Sequence, residues 1–332
     1  TVTPRPVAEH ILDTLTAVAQ RSSSVPFTAV RDYFLKKLPY LPANLRFHFL
    51  SRLHLWSGGR AYRDELERTR EAWWEKMDDV VDRLRSVTSA HAHADAAVSG
   101  KRYRRAAASL YPELPTYNNF FFKCLFDHTI FGGDSFAEHR QSVDVEHVRA
   151  LRQRLCADPL SVLTLSTPAV NFLYFCSHYF GSEGMRIDPE YFLSVGDTQV
   201  LSDVVADVDA RIYMYTHAII GATRFYADVV PESDRQTYVR MLERVERIIA
   251  EHYTQTTLDH KCEFLVCCRL SKYDSYLESV IQSEVQSSCS PHGLYFVNTY
   301  NTHRDNPAKQ SLLSMEHSNV LALMAFMRPE DV

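Results

Sequence analysis

Apolar residues in this chain recur every three or four positions, and no run alternates cleanly between polar and apolar for six residues. That period puts side chains on one stripe of a helix, whereas a half-buried strand needs a period of two. The expectation is an all-α protein. Residues 6–20 place Val7, Ile11, Leu15 and Val18 on one face, with Pro6 suited to a first turn. Two shorter helices are expected at 27–38 and 43–56, divided by Pro42 and stopped by Gly58 and Gly59. A long charged helix over 60–88 would bury Leu66, Trp73, Met77, Val80, Val81 and Leu84. The small, polar stretch 89–100 reads as a linker or mobile loop.

Beyond it the pattern predicts helices at 101–110, 117–131, 144–156, 161–180, within 197–228, and at 234–252, 258–270, 273–286 and 313–327. The polar segment 287–311 is expected to be a loop able to close over a pocket. No long hydrophilic linker separates the two halves, so one large domain is expected rather than two, with its weakest point at 89–100. The division expected is an N-terminal helical region, 1–100, and a continuous catalytic region, 101–332.

Composition narrows the partners. Thirty-six Lys and Arg against 41 Asp and Glu leave a net charge of −5, and the densest basic cluster is Lys101, Arg102, Arg104 and Arg105. Four cations at a helix start are an ordinary solvated face, so no nucleic-acid partner is expected. No apolar run approaches the roughly 20 residues that span a bilayer, so no membrane partner is expected either. Seven cysteines without a CxxC pair point to reduced thiols, hence to a soluble, cytoplasmic protein. A chain of 332 residues buries roughly three quarters of its extended surface, enough for a large core.

Three late segments carry polar groups on otherwise apolar rods: Thr216-His217, Asp259-His260-Lys261-Cys262-Glu263, and Glu316-His317-Ser318. Burying an acid and an imidazole requires compensation, and metal ligation or a hydrogen-bonded network supplies it. Asp259, Glu263 and Cys267 are spaced i, i+4, i+8 on one face, and Cys262 follows Asp259 at i+3. His217, Asp259, Cys262 and His317 are the candidate metal ligands, and zinc suits that mixture of N, O and S donors. Glu263, if not a ligand, is a candidate general base on a metal-bound water. Arg224 shares a face with His217 and is the candidate to hold an anionic substrate, although Asp228 at i+4 offers an ordinary salt bridge.

Other signals are weaker. His128 and His217 share the form His-x-Ile-x-Gly, which would make them equivalent positions of a repeat, and His178 is a further inward candidate. Cys267 is a candidate nucleophile, although buried thiols are usually inert. No HExxH, glycine-rich phosphate loop or GxSxG elbow is present.

The segments TH at 216–217, DHKCE at 259–263 and EHS at 316–318 resemble the polar helix starts of the α/α toroids, a group that includes lanthionine cyclases, protein prenyltransferases and terpenoid cyclases. The resemblance implies an α/α toroid or incomplete helical barrel with inner helices opening onto one mouth, and zinc held by Asp259, Cys262 and His317. Neither the paired Cys-His motif of the lanthionine cyclases nor the QW-type repeats of the triterpene cyclases is present.

The function expected is a metal-assisted hydrolase, lyase or cyclase acting on a small molecule or modified peptide. The competing readings are a helical scaffold with structural histidines and the 60–88 helix, bearing Trp73 and Trp74, as its partner surface; a metal-free acid–base enzyme; and a non-catalytic ligand sensor. A homodimer would require an exposed apolar patch.

Overall fold

The computed structural model describes residues 25–70, 76–87 and 101–332. The helix expected at 6–20, the linker at 89–100 with its junction at residue 100, and Trp73 and Trp74 lie outside the described residues. Among those described, the regular structure is helical, with one isolated bridge between Cys289 and Phe296. The chain falls into two compact units. Among the described residues, the first joins 25–70 to 242–332 and the second holds 76–87 and 101–241.

In the first unit, α1 (Phe27–Lys37) and α2 (Ala43–Trp56) follow the expected breaks closely, and α3 (Arg63–Thr69) comes next. The single helix over 60–88 is not found: Lys76 is extended and α4 (Met77–Arg85), in the second unit, starts afresh behind it. Asp78 and Asp79 occupy the first turn of α4, where their charge favours a helix N-terminus, and so the continuous apolar seam misleads.

The second unit continues with α5 (Arg105–Leu110), α6 (Leu114–Phe131), α7 (Ser135–His139), α8 (Val145–Cys156), α9 (Pro159–Leu165), α10 (Thr167–Phe180), α11 (Glu190–Thr198) and α12 (Val204–Ala222). The helix expected over 161–180 is two helices bent by 111° at Ser166, whose φ is +48°. Pro168 explains the break, since it cannot donate to the preceding turn and it restrains the residue before it. α10 packs against α12, α6 and α8. Gly221 lets α12 approach α10: a β-carbon there would lie 2.6 Å from the ring of Tyr174. The two hydroxyls of Tyr174 and Tyr238 meet at 2.8 Å.

The boundary between the units falls inside α13 (Arg235–Glu251). α14 (Leu258–Ser271), α15 (Glu278–Ser287) and α16 (Leu312–Phe326) complete the first unit. α16 is apolar on nearly every side and is the centre of that unit, packing on α14, α2 and α1. A helix that is hydrophobic all round must be covered on all sides. Among the described residues no single helix is long and apolar enough to cross a membrane; α9 with α10 passes by composition only as a bent pair.

The polar segment before α16 is tied down by amides. Asn319, fully buried, accepts from the Phe296 N–H at 2.8 Å and donates to the Phe296 carbonyl at 2.9 Å. Asn298 accepts from the N–H of Leu258, at the first turn of α14, at 2.9 Å. These bonds fix α14 and α16 to a common loop and so set the register of the polar groups that both helices carry.

Candidate metal centre

α14 starts where Thr257 accepts from the His260 N–H at 3.3 Å while the His260 ring accepts from the Thr257 N–H at 3.2 Å. This reciprocal cap accounts for His260, a polar residue on an apolar rod, without a catalytic role. The cap places Asp259 in the first turn and Glu263 one turn later on the same face. His317 comes from α16. Asp259, Glu263 and His317 each offer a donor atom, and the three atoms lie within 4.8 Å of one another.

His317 Nδ1 is 2.5 Å from Asp259 Oδ1, and the Ser318 hydroxyl donates to the same oxygen at 3.3 Å. Glu263 is buried, while the His317 and Asp259 side chains remain 39% and 18% exposed, so the cluster is reachable from solvent. Burial alone would lower the pKa of His317. The carboxylates of Asp259, Glu263 and Glu316 outweigh it and raise the imidazole to about 9. At neutral pH a proton on His317 supplies the positive charge that this acidic cluster attracts.

His48, on α2, stands beside the cluster. Its ring centroid is 5.0 Å from that of His317, and its Nδ1 is 2.9 Å from Oε1 of the buried Glu316. Burial, with Arg52 and His317 nearby, overcomes the attraction of Glu316 and lowers the His48 pKa to about 4. The two neighbouring imidazoles are therefore held in opposite protonation states at neutral pH. The sequence expectations do not include His48, which sits in the aromatic run RFHFL. The available signal was a histidine inside an apolar helical stripe, the same signal that drew attention to His317.

The remaining candidates are placed otherwise. Cys262 is fully buried and is not one of the three converging donors; burial first, then Asp259 and Glu284, pushes its thiol well above the usual range. His217 belongs to the second unit, where its Nδ1 is 2.9 Å from Asn171 Oδ1. Arg224, in the same unit, makes the 2.5 Å ion pair with Asp228 that their i, i+4 spacing offers. Burial also pushes up the Cys267 thiol, which removes the thiolate a nucleophile requires.

The two His-x-Ile-x-Gly segments do not occupy equivalent environments. Gly132 ends α6 in the left-handed conformation and the exposed His128 contacts the Gly133 carbonyl at 3.2 Å, whereas Gly221 lies within α12 against Tyr174. His128 and His178 line a cavity of about 160 Å³ with Cys124, Ser135 and Tyr179. Asp78, Asp79 and Asp82 are all exposed, and Asp82 pairs with Arg85 at 3.2 Å.

No family model, curated protein or solved structure matches this chain. The site is therefore read from its own chemistry. Two carboxylates and an imidazole on two packed helices, partly open to solvent, can hold a divalent cation or work as a carboxylate–imidazole acid–base pair.

Proposed function

We propose that the protein is a metal-dependent enzyme whose Asp259, Glu263 and His317 hold one divalent cation, and that it hydrolyses a small-molecule or peptide substrate. The observation that carries this reading is the convergence of three donors from α14 and α16 within 4.8 Å. Two carboxylates one turn apart repel each other, and a shared cation relieves that repulsion directly. An ion held by these three residues would supply Lewis acidity towards a substrate oxygen or a water. The protein's own contribution is to hold the three donors rigidly, through the cap of α14 and the amide ties to α16, while leaving one side accessible. A surrounding arrangement of helices of the α/α-toroid kind is part of this proposal.

The test is elemental analysis of protein purified without an affinity tag or added metal. One ion per chain is expected, lost in Asp259→Asn and His317→Ala. A folded protein that takes up no divalent cation would contradict the reading.

A second reading rests on the 2.5 Å contact between Asp259 and His317. A carboxylate on one ring nitrogen orients an imidazole to exchange protons through the other, as in metal-free acid–base sites. It would retain activity in the presence of strong chelators, and the metal-dependent reading would not.

A further inference from the structure

The second unit carries a cavity that the metal-centre reading leaves unused. It is lined from α6, α7 and α10 and has a volume of about 160 Å³. A cavity of roughly 150 Å³ admits a benzene-sized molecule, so the ligand class is small. Part of the lining is apolar. Phe136 and Tyr179 stack there with centroids 4.1 Å apart, and burial pushes the Cys124 thiol up so that it stays neutral.

His128 and His178 are its polar side. His128 Nδ1 lies 3.2 Å from the Gly133 carbonyl, which only accepts, so the ring proton belongs on Nδ1 and Nε2 keeps its lone pair. Among the described residues nothing hydrogen-bonds the ring of His178. The backbone after α12 adds a cation. Arg224, Phe225 and Tyr226 have φ of +49°, +54° and +74°, three successive non-glycine residues in the left-handed region. That conformation persists only where packing enforces it, and it gathers at functional sites. Phe225 enforces it here: it is buried, with its ring centre 4.5 Å from that of Phe122 and 5.6 Å from that of Phe175.

The turn sets Arg224 close to His178. Burial, then the charges of Arg224 and His128, lower the His178 pKa, and Asp228 offsets them only in part. Arg224 gives Asp228 its Nε–H alone, so its two terminal amino groups are left for a ligand. The other acids nearby are turned elsewhere or lie open to solvent. Asp127 is outside the lining and accepts from the Ser135 hydroxyl at 2.5 Å and its N–H at 3.3 Å. Glu138 is outside the lining too, and Asp134, the one carboxylate within it, is exposed.

We propose that this cavity binds a small organic carboxylate, its anionic end received by His178 and Arg224 and its compact apolar body lying against Tyr179 and Phe136. The site belongs to the other unit from the metal centre and does not rest on it. A carboxylate beside His178 offsets its positive neighbours, so binding takes up a proton and tightens as pH falls from about 8 to about 6.

The experiment titrates the metal-free full chain calorimetrically with benzoate, benzamide and inorganic phosphate, and follows the histidine imidazole resonances by NMR. One benzoate per chain is expected, with the His178 signal displaced and tighter binding towards the acid end. Benzamide and phosphate should each bind at least about 10-fold more weakly, and His178→Gln and Arg224→Gln should each weaken benzoate by about 10-fold. Absence of benzoate binding, saturation that leaves the His178 signal unmoved, or benzamide binding as tightly as benzoate overturns the proposal. So does unchanged affinity in both folded variants. Phosphate binding more tightly than benzoate overturns the carboxylate assignment. The three wild-type titrations do not depend on whether the variants fold.

Discussion

His317 Nδ1 and Asp259 Oδ1 are 2.5 Å apart although 58 residues of chain separate them. That contact joins α14 to α16 at the acidic face of α14, and it sets the protonation of the site. The His317 pKa is raised to about 9 while that of His48 is lowered to about 4, against an ordinary histidine value of 6.5.

The two histidines impose opposite pH dependences on the metal-free protein. His317 holds its proton more tightly when folded, so its stabilisation is complete below pH 6.5 and is lost as pH rises towards 9. His48 resists protonation when folded, so its stabilisation is complete above pH 6.5 and is lost as pH falls towards 4. Urea midpoints measured across this range should show His317→Gln flattening the alkaline arm and His48→Gln flattening the acid arm. Identical profiles for wild type and variants would contradict the assignment.

Cys262→Ser should leave metal content unchanged, because Cys262 is not among the converging donors. Asp259→Asn, four residues from Glu263 on the same helix, should remove the bound ion. Metal analysis of the two variants side by side checks this. Loss of metal in Cys262→Ser would restore sulfur to the ligand set.

Between Asp259 and Glu263 along α14, Lys261 places its Nζ 2.9 and 3.0 Å from the two oxygens of Glu284, and both side chains are almost completely buried. Tyr253 covers the ammonium with its ring centre at 3.9 Å. Removing one partner strands the other, so Lys261→Met should cost about 3–5 kcal/mol in urea unfolding. The double change Lys261→Met, Glu284→Leu should recover most of that loss. A single variant as stable as the wild type would show that the pair is not buried as described.

Gly221→Ala should destabilise the second unit by about 1–3 kcal/mol, since the new β-carbon would lie 2.6 Å from Tyr174 and force α12 away from α10. Adding Tyr174→Leu should relieve part of the clash. Thermal unfolding of the single and double variants measures both effects. An unaffected Gly221→Ala protein would mean that the helices tolerate wider spacing.

The all-helical class was legible because apolar period is a local property. Helices expected at 43–56 and 258–270 correspond to Ala43–Trp56 and Leu258–Ser271. The interruption at Lys76 was hidden because the apolar seam continues in phase across it. The pairing of Asp259 and Glu263 was legible as an i, i+4 relation, and His317 as a polar residue on an apolar rod. Which other histidine stands beside them was not legible, because His48 and His217 carry the same local signature. Only long-range packing distinguishes them: α2 brings His48 to α16, whereas His217 is engaged by Asn171 in the other unit. His260 misled for the opposite reason, since a capping box uses the same residue type that a metal site does.

Isothermal titration of the metal-free protein with Zn²⁺ at pH 7, repeated in buffers of different ionisation enthalpy, tests the central claim most directly. With His317 raised to about 9, an ion that binds through it must displace its proton. The expected result is one site per chain with about one proton released, and no binding in His317→Ala. Absence of zinc binding, or binding that persists in His317→Ala without proton release, would contradict the claim.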